Sequence, residues 1–175
     1  MTALDALKAL KKFISDYVAS KTLLQQEDSE PPVYVNPYVE MIYLPHKNFS
    51  PQDFQVPFIL VGLDDAIDDT LQHELNIRIT FATYGGGQYT DENGLKVNMP
   101  DSKGYIDLIN IIERTKLELI TAGIINGAGA VLKPFRYGVY DTEMVYPYWY
   151  GYLSFTLDIP ATEYITERED INYGL

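Results

Sequence analysis

The sequence predicts an α+β fold: a mixed, mostly antiparallel sheet with two main helices packed on one face. Two segments of this 175-residue chain repeat apolar residues at helical spacing. Others repeat them at every second position, and these strand-like segments follow one another through short turns.

The first helix is MTALDALKALKKFISDYVAS, where Ala3, Leu7, Leu10, Ile14 and Tyr17 recur at steps of four and three and Phe13 and Val18 widen the stripe. Thr2 followed three residues later by Asp5 resembles a capping box with a shortened acid. This amphipathic face is suited to packing on a sheet. QQEDSEPP, residues 25–32, reads as a polar connector. VYVNPYVEMIYLP, residues 33–45, reads as a strand broken by Pro37, which fits an edge or a bulge because proline has no N–H to give to a ladder. HKNFSPQDFQ, residues 46–55, reads as a loop, and VPFILVGL, residues 56–63, as a short strand covered on both faces.

LQHELNIRITFATY, residues 71–84, has the plainest alternation: Leu75, Ile77, Ile79 and Phe81 on one side, Glu74, Asn76, Arg78 and Thr80 on the other. The polar stretch at 85–104 begins with three glycines and contains Asn93-Gly94, a good two-residue hairpin turn, so an extended hairpin arm is expected. The second helix spans about 104–122, with Tyr105, Leu108, Ile109, Ile112, Lys116 and Leu119 at helical spacing. Asp101 or Ser102 is placed to cap its start and Gly123 to end it. INGAGAV is a turn, and VLKPFRYGVY and VYPYWYGYLSFTLDIP supply the last two strands. The chain reads as one domain over 1–165, with the arm at about 84–101 and a flexible acidic tail at 166–175.

The final strand raises the main functional question. Leu153, Phe155, Leu157 and Ile159 form a buried face, and Tyr148, Tyr150 and Tyr152 continue the alternation on the polar one. Three aromatics facing away from the core need a cover, either a second layer or another protein.

Bulk composition narrows the classes. Lys plus Arg number 13 and Asp plus Glu 25, a net charge of −12 that repels a phosphate backbone and argues against sequence-specific duplex binding. With no cysteine, disulfides, thiolate nucleophiles and Cys-based zinc sites are excluded. No apolar run approaches the roughly 20 residues of a membrane span, and the spaced apolar residues around Lys8, Lys11 and Lys12 do not form a signal peptide. A soluble intracellular protein without a membrane partner is expected. His46, in a polar loop, and His73, ahead of a strand, read as surface histidines. No GxSxG elbow is present, and the glycines at 85–87 lack the Lys-Ser or Lys-Thr of a phosphate loop. Asp64, Asp65, Asp68 and Asp69 could gather around a hard cation, but EF-hand spacing is missing, and a solvated acidic turn after a strand explains them. No catalytic residue, metal site or cofactor is assigned.

The order of elements, with LNIRITFATYGGG, GYIDLINIIERTKLELI and WYGYLSFTLDIP in sequence, resembles the tail terminator (tail completion) proteins of tailed phages and phage-tail-like particles over about residues 1–160. The resemblance implies a non-enzymatic virion protein, assembled in the host cytoplasm. It would form a homo-hexameric ring on the head-proximal end of the tail tube. Its partners would be other copies of itself, the tail tube protein, and a head–tail connector, collar or sheath protein, with DNA passing through unbound. Candidate contacts are Tyr148, Trp149, Tyr150, Tyr152 and Tyr84, and on the arm Tyr89, Asp91, Glu92 and Asn93. Neighbouring head–tail adaptor proteins share the layout and form the alternative; a metal-dependent hydrolase using Asp64–Asp69 is a third reading.

Overall fold

A computed structural model describes residues 1–27, 29, 31–41, 56–69, 73–92, 95–140 and 146–160, and the backbone alone at 88–92 and 95–98. Helix α1, Ala3–Tyr17, starts with a complete capping box: the Asp5 backbone N–H donates to Thr2 Oγ1 at 3.2 Å, and the Thr2 N–H donates to Asp5 Oδ2 at 3.1 Å. Its buried stripe is Ala6, Leu7, Leu10 and Ile14, continued by Val18. Tyr17 was expected in that stripe but is 48% exposed, stacked on Phe13 at 4.8 Å. The step of four from Ile14 lands on Val18, and the step of three leaves Tyr17 on the rim.

Strands β1, Leu24–Gln25, and β2, Tyr34–Val35, pair as a small antiparallel ribbon. The expected polar connector is thus partly internal. Gln25 and Glu27 are buried, and Glu27 is tied to Val56 by a backbone bond of 3.0 Å and a carboxylate bond of 3.3 Å. Pro37 separates β2 from β3, Tyr38–Met41, which is the edge strand of the main sheet.

That sheet has six strands in the order β3-β4-β5-β10-β9-β8. β4 is Phe58–Asp68, β5 His73–Tyr84, β8 Ile124–Ile125, β9 Gly129–Val139 and β10 Tyr148–Asp158. β3 lies parallel to β4 and every other pair is antiparallel. Between β5 and β8 come the hairpin β6, Gln88–Glu92, with β7, Leu95–Met99, and helix α2, Lys103–Ala122. The hairpin forms its own two-stranded sheet, and Glu92 pairs with Leu95 across the expected turn. Asn93 and Gly94 lie outside the described residues, as do His46, the loop 46–55 and the tail 166–175.

β4 differs from expectation in two ways. Ile59 and Val61 are buried while Phe58 and Leu60 are only half-buried, so one face is covered rather than both. The acidic segment 63–68 is no turn: it continues the strand, exposed, beside Ile77 to His73 at the start of β5, with a bulge between Leu63 and Asp65. The long partner strand supplies hydrogen bonds beyond the reach of the helices, and solvation of the carboxylates does the rest.

The register places Ile59 opposite Phe81, Val61 opposite Ile79, and Leu153, Phe155 and Leu157 opposite Ile79, Ile77 and Leu75. These side chains share one face, and both helices pack there. α2 buries Gly104, Leu108, Ile111, Ile112, Thr115 and Leu119, a stripe rotated slightly from the expected one, so that Tyr105 is 39% exposed. A Cβ at Gly151 would meet Leu108 and Ile112 of α2 and the Gly138 carbonyl, which fixes the small residue in mid-strand. Each fully buried Leu or Ile here contributes roughly 1.5–3 kcal/mol by removal from water. Gly123, at φ 65°, ends α2 as expected.

Candidate interaction surface

The opposite face of the sheet carries neither α1 nor α2. There Tyr148 pairs with Tyr84, Tyr150 with Ala82, and Tyr152 with Thr80 on one side and Gly138 on the other. All four tyrosines are half-buried. Tyr84 and Tyr148 meet edge to face at 5.5 Å between ring centroids. Tyr152 lies 5.2 Å from the ring of Tyr140, and a Cβ at Gly138 would stand 3.3 Å from its own ring. Gly138 therefore lets the Tyr152 ring lie down over β9. Phe58 and Leu60 extend this face across β4.

Arg78 organises the polar end. Its guanidinium stands 5.4 Å from the Tyr152 ring centroid and makes a forked contact with Asp64, through Nε at 2.8 and 3.0 Å and Nη2 at 2.8 Å. A hydrogen bond with Tyr140, followed by the one with Asp64, raises the Arg78 pKa above its ordinary value. The β4 bulge turns Asp64 toward this arginine. Asn76 donates to Asp65 and accepts from Thr156 at 2.9 Å. With Arg136 and Ser154 these groups line a trough of about 400 Å³. Two arginines and two aspartates balance there, so the trough is polar but near neutral.

The other candidate residues are placed as follows. Trp149 is on the helix side: its ring meets Tyr105 at 5.5 Å and occupies the space over Gly104, where a Cβ would lie 2.5 Å from the indole Cδ1. It thus braces the start of α2 rather than joining the tyrosines. Tyr89, Asp91 and Glu92 are in β6, where only the backbone is described. Of the acidic run, Asp64 and Asp65 are engaged by Arg78 and Asn76, and among the described residues no group of three or more metal-ligating side chains converges. His73 was expected at the surface but is 8% exposed, because it opens the β5 ladder on the core side. No described helix is long and apolar enough to cross a membrane.

Sequence reasoning missed Arg78, Gly138 and Tyr140 as members of the tyrosine face. Only the polar alternation of residues 74–80 hinted at Arg78; the other two depend on register.

No family model matches this chain, and no curated protein matches it.

Proposed function

We propose that this protein is a structural ring component of a phage tail or phage-tail-like particle, a tail terminator that caps the head-proximal end of the tail tube and ends its polymerisation. The observation that carries the proposal is that, among the described residues, both helices pack on one face of the sheet, and the other face groups four half-buried tyrosines with Arg78. Tyrosine and arginine are the side chains that dominate protein interfaces, because they bring large contact area and directional bonding at low entropic cost. The element order that resembles terminator proteins, and the hairpin β6–β7 standing as a sheet of its own, support the same reading. A net charge of −12 suits a ring through which DNA slides without being held.

The function is tested by mixing the purified protein with growing tail tubes and imaging gold-labelled protein on them. A terminator labels one end only and stops elongation. Label on the isolated head connector with no effect on the tube would instead favour the adaptor reading. Label along the tube wall, or none on either partner, would remove the proposal.

A further inference from the structure

The hairpin and the helix layer each carry an apolar surface, and the two lie at opposite ends of α2. β6 and β7 form a two-stranded sheet of their own, and such a ribbon is at best marginally stable in water without a surface to lie on. The register pairs Glu92 with Leu95, Thr90 with Val97 and Gln88 with Met99. Leu95, Val97 and Met99 therefore share one face of the ribbon, and Lys96 and Asn98 fall on the other with Asp91 and Tyr89. Met99 is 56% exposed. On the helix side of the molecule a groove of about 650 Å³ is lined by Ala9, Phe13 and Tyr17 of α1, Ala122 of α2, and Ile124 and Ile125 of β8. Tyr17 is 48% exposed there and Ile124 74%. Lys12 and Asp16, also in the lining, pair with each other at 2.7 Å, so what the groove chiefly offers is apolar contact.

We propose that the β6–β7 hairpin of one copy lays its Leu95, Val97 and Met99 face into the α1–α2–β8 groove of the next copy. The inference rests on the ring reading and names one of its contacts. The lengths agree: Leu95 to Met99 covers about 14 Å of strand, and Ala9 to Tyr17 covers about 12 Å along α1. Reach forbids the same contact within one chain. The base of the hairpin abuts the start of α2, where a Cβ at Gly85 would lie 2.6 Å from the Gly104 nitrogen and 3.8 Å from Asp101 Oδ1. Met99 is two residues from Asp101, so it stays within about 7 Å of that junction. The groove lies at the other end of the helix, about 27 Å from Gly104 to Ala122. Hairpin and groove are thus two different patches at opposite ends of one helix. Their contact is heterologous and runs head to tail, the type of contact that closes rings. It also supplies the surface that the ribbon needs to be stable.

The absence of native cysteine makes the test direct. Val97→Cys and Ile124→Cys are placed in one chain, and the folded double variant is treated with a bis-maleimide, alone and on tail tubes. Tyr17→Cys replaces Ile124→Cys if the latter lowers thermal stability. Covalent multimers are expected from the double variant, dimers when the two single variants are mixed, and none from either single variant alone. Val97→Asp and Ile124→Asp, followed by sedimentation, should each weaken self-association about tenfold or more, the effect of taking one large apolar side chain out of contact. Their melting temperatures should match the parent. Four results would overturn the docking: no cross-link between the two positions in either setting, a cross-link only within one chain, capture of Val97→Cys by its own kind or by the tube protein, or parental association of both Asp variants. The unmodified protein separates the two ideas. Six-subunit species or tube capping that accompany any of those results leave the ring reading standing, and a chain that neither associates nor caps removes both.

Discussion

Gly104→Ala should destabilise the protein even though it replaces glycine by the best helix former. An added Cβ would lie 2.5 Å from Trp149 Cδ1 and 2.8 Å from both Trp149 Nε1 and the Gly85 backbone nitrogen. Neither neighbour yields freely. The indole is backed by Tyr105, and the Gly85 N–H is bonded to the Pro147 carbonyl at 3.0 Å. Overpacking of this kind costs about 1–3 kcal/mol, whereas alanine in place of glycine gains at most about 1 kcal/mol in a helix interior and less in the first turn. The net expectation is a loss of about 1–2 kcal/mol. With a urea m-value of about 1–3 kcal/mol/M, that lowers the unfolding midpoint by roughly 0.3–2 M. The chain has a single tryptophan, and it stands at the substitution site, so its fluorescence follows both the local strain and global unfolding. A midpoint unchanged or raised, with an unshifted emission maximum, would refute the close packing of α2 on the β5–β10 end.

Three further outcomes are expected. The Glu40 carboxylate is held below its ordinary pKa of 4.5, first by the Lys11 hydrogen bond and then by the Met41 N–H and Tyr38 hydroxyl. A depressed folded-state pKa contributes stability above the unfolded value that is lost as pH falls through the folded one. Stability measured by denaturation from pH 6 to pH 2 should therefore fall less steeply below about 4.5 in Glu40→Gln than in the parent, and identical slopes would contradict this. Arg78→Lys keeps the charge but loses the fork to Asp64 and the planar contact with Tyr152; because both partners are more than a third exposed, thermal stability should drop by only about 0.5–1 kcal/mol. A loss well above that would mean that the tyrosine face is a structural core. Finally, subunits of charge −12 repel one another at long range, so self-association followed by sedimentation should strengthen as salt rises from low ionic strength; insensitivity to salt would count against that repulsion.

The sheet and helices were readable because their periods are strong. Leu75–Phe81 and Leu153–Leu157 alternate without interruption, and α1 and α2 repeat at helical steps. The acidic half of β4 was not readable as a strand. GLDDAID has no apolar alternation, and its strand geometry comes from the β5 ladder, a long-range partner. His73 and Glu27 look exposed in sequence, and tertiary neighbours bury them. The tyrosine face was legible by parity alone: Tyr148, Tyr150 and Tyr152 are two apart. The same parity sends Trp149 to the helix side, where Gly104 and Tyr105 receive it. Gly138, Tyr140 and Arg78 join the face through cross-strand register, which one strand's sequence does not encode.

The central claim, that copies of this chain close into a ring on a tail tube, is tested most directly by native mass spectrometry of the chain, alone and with tube fragments, over a range of concentration. The account predicts one dominant closed species of six subunits, without a continuous series of larger multimers. A chain that stays monomeric in both conditions, and leaves tube growth unchanged, would contradict it.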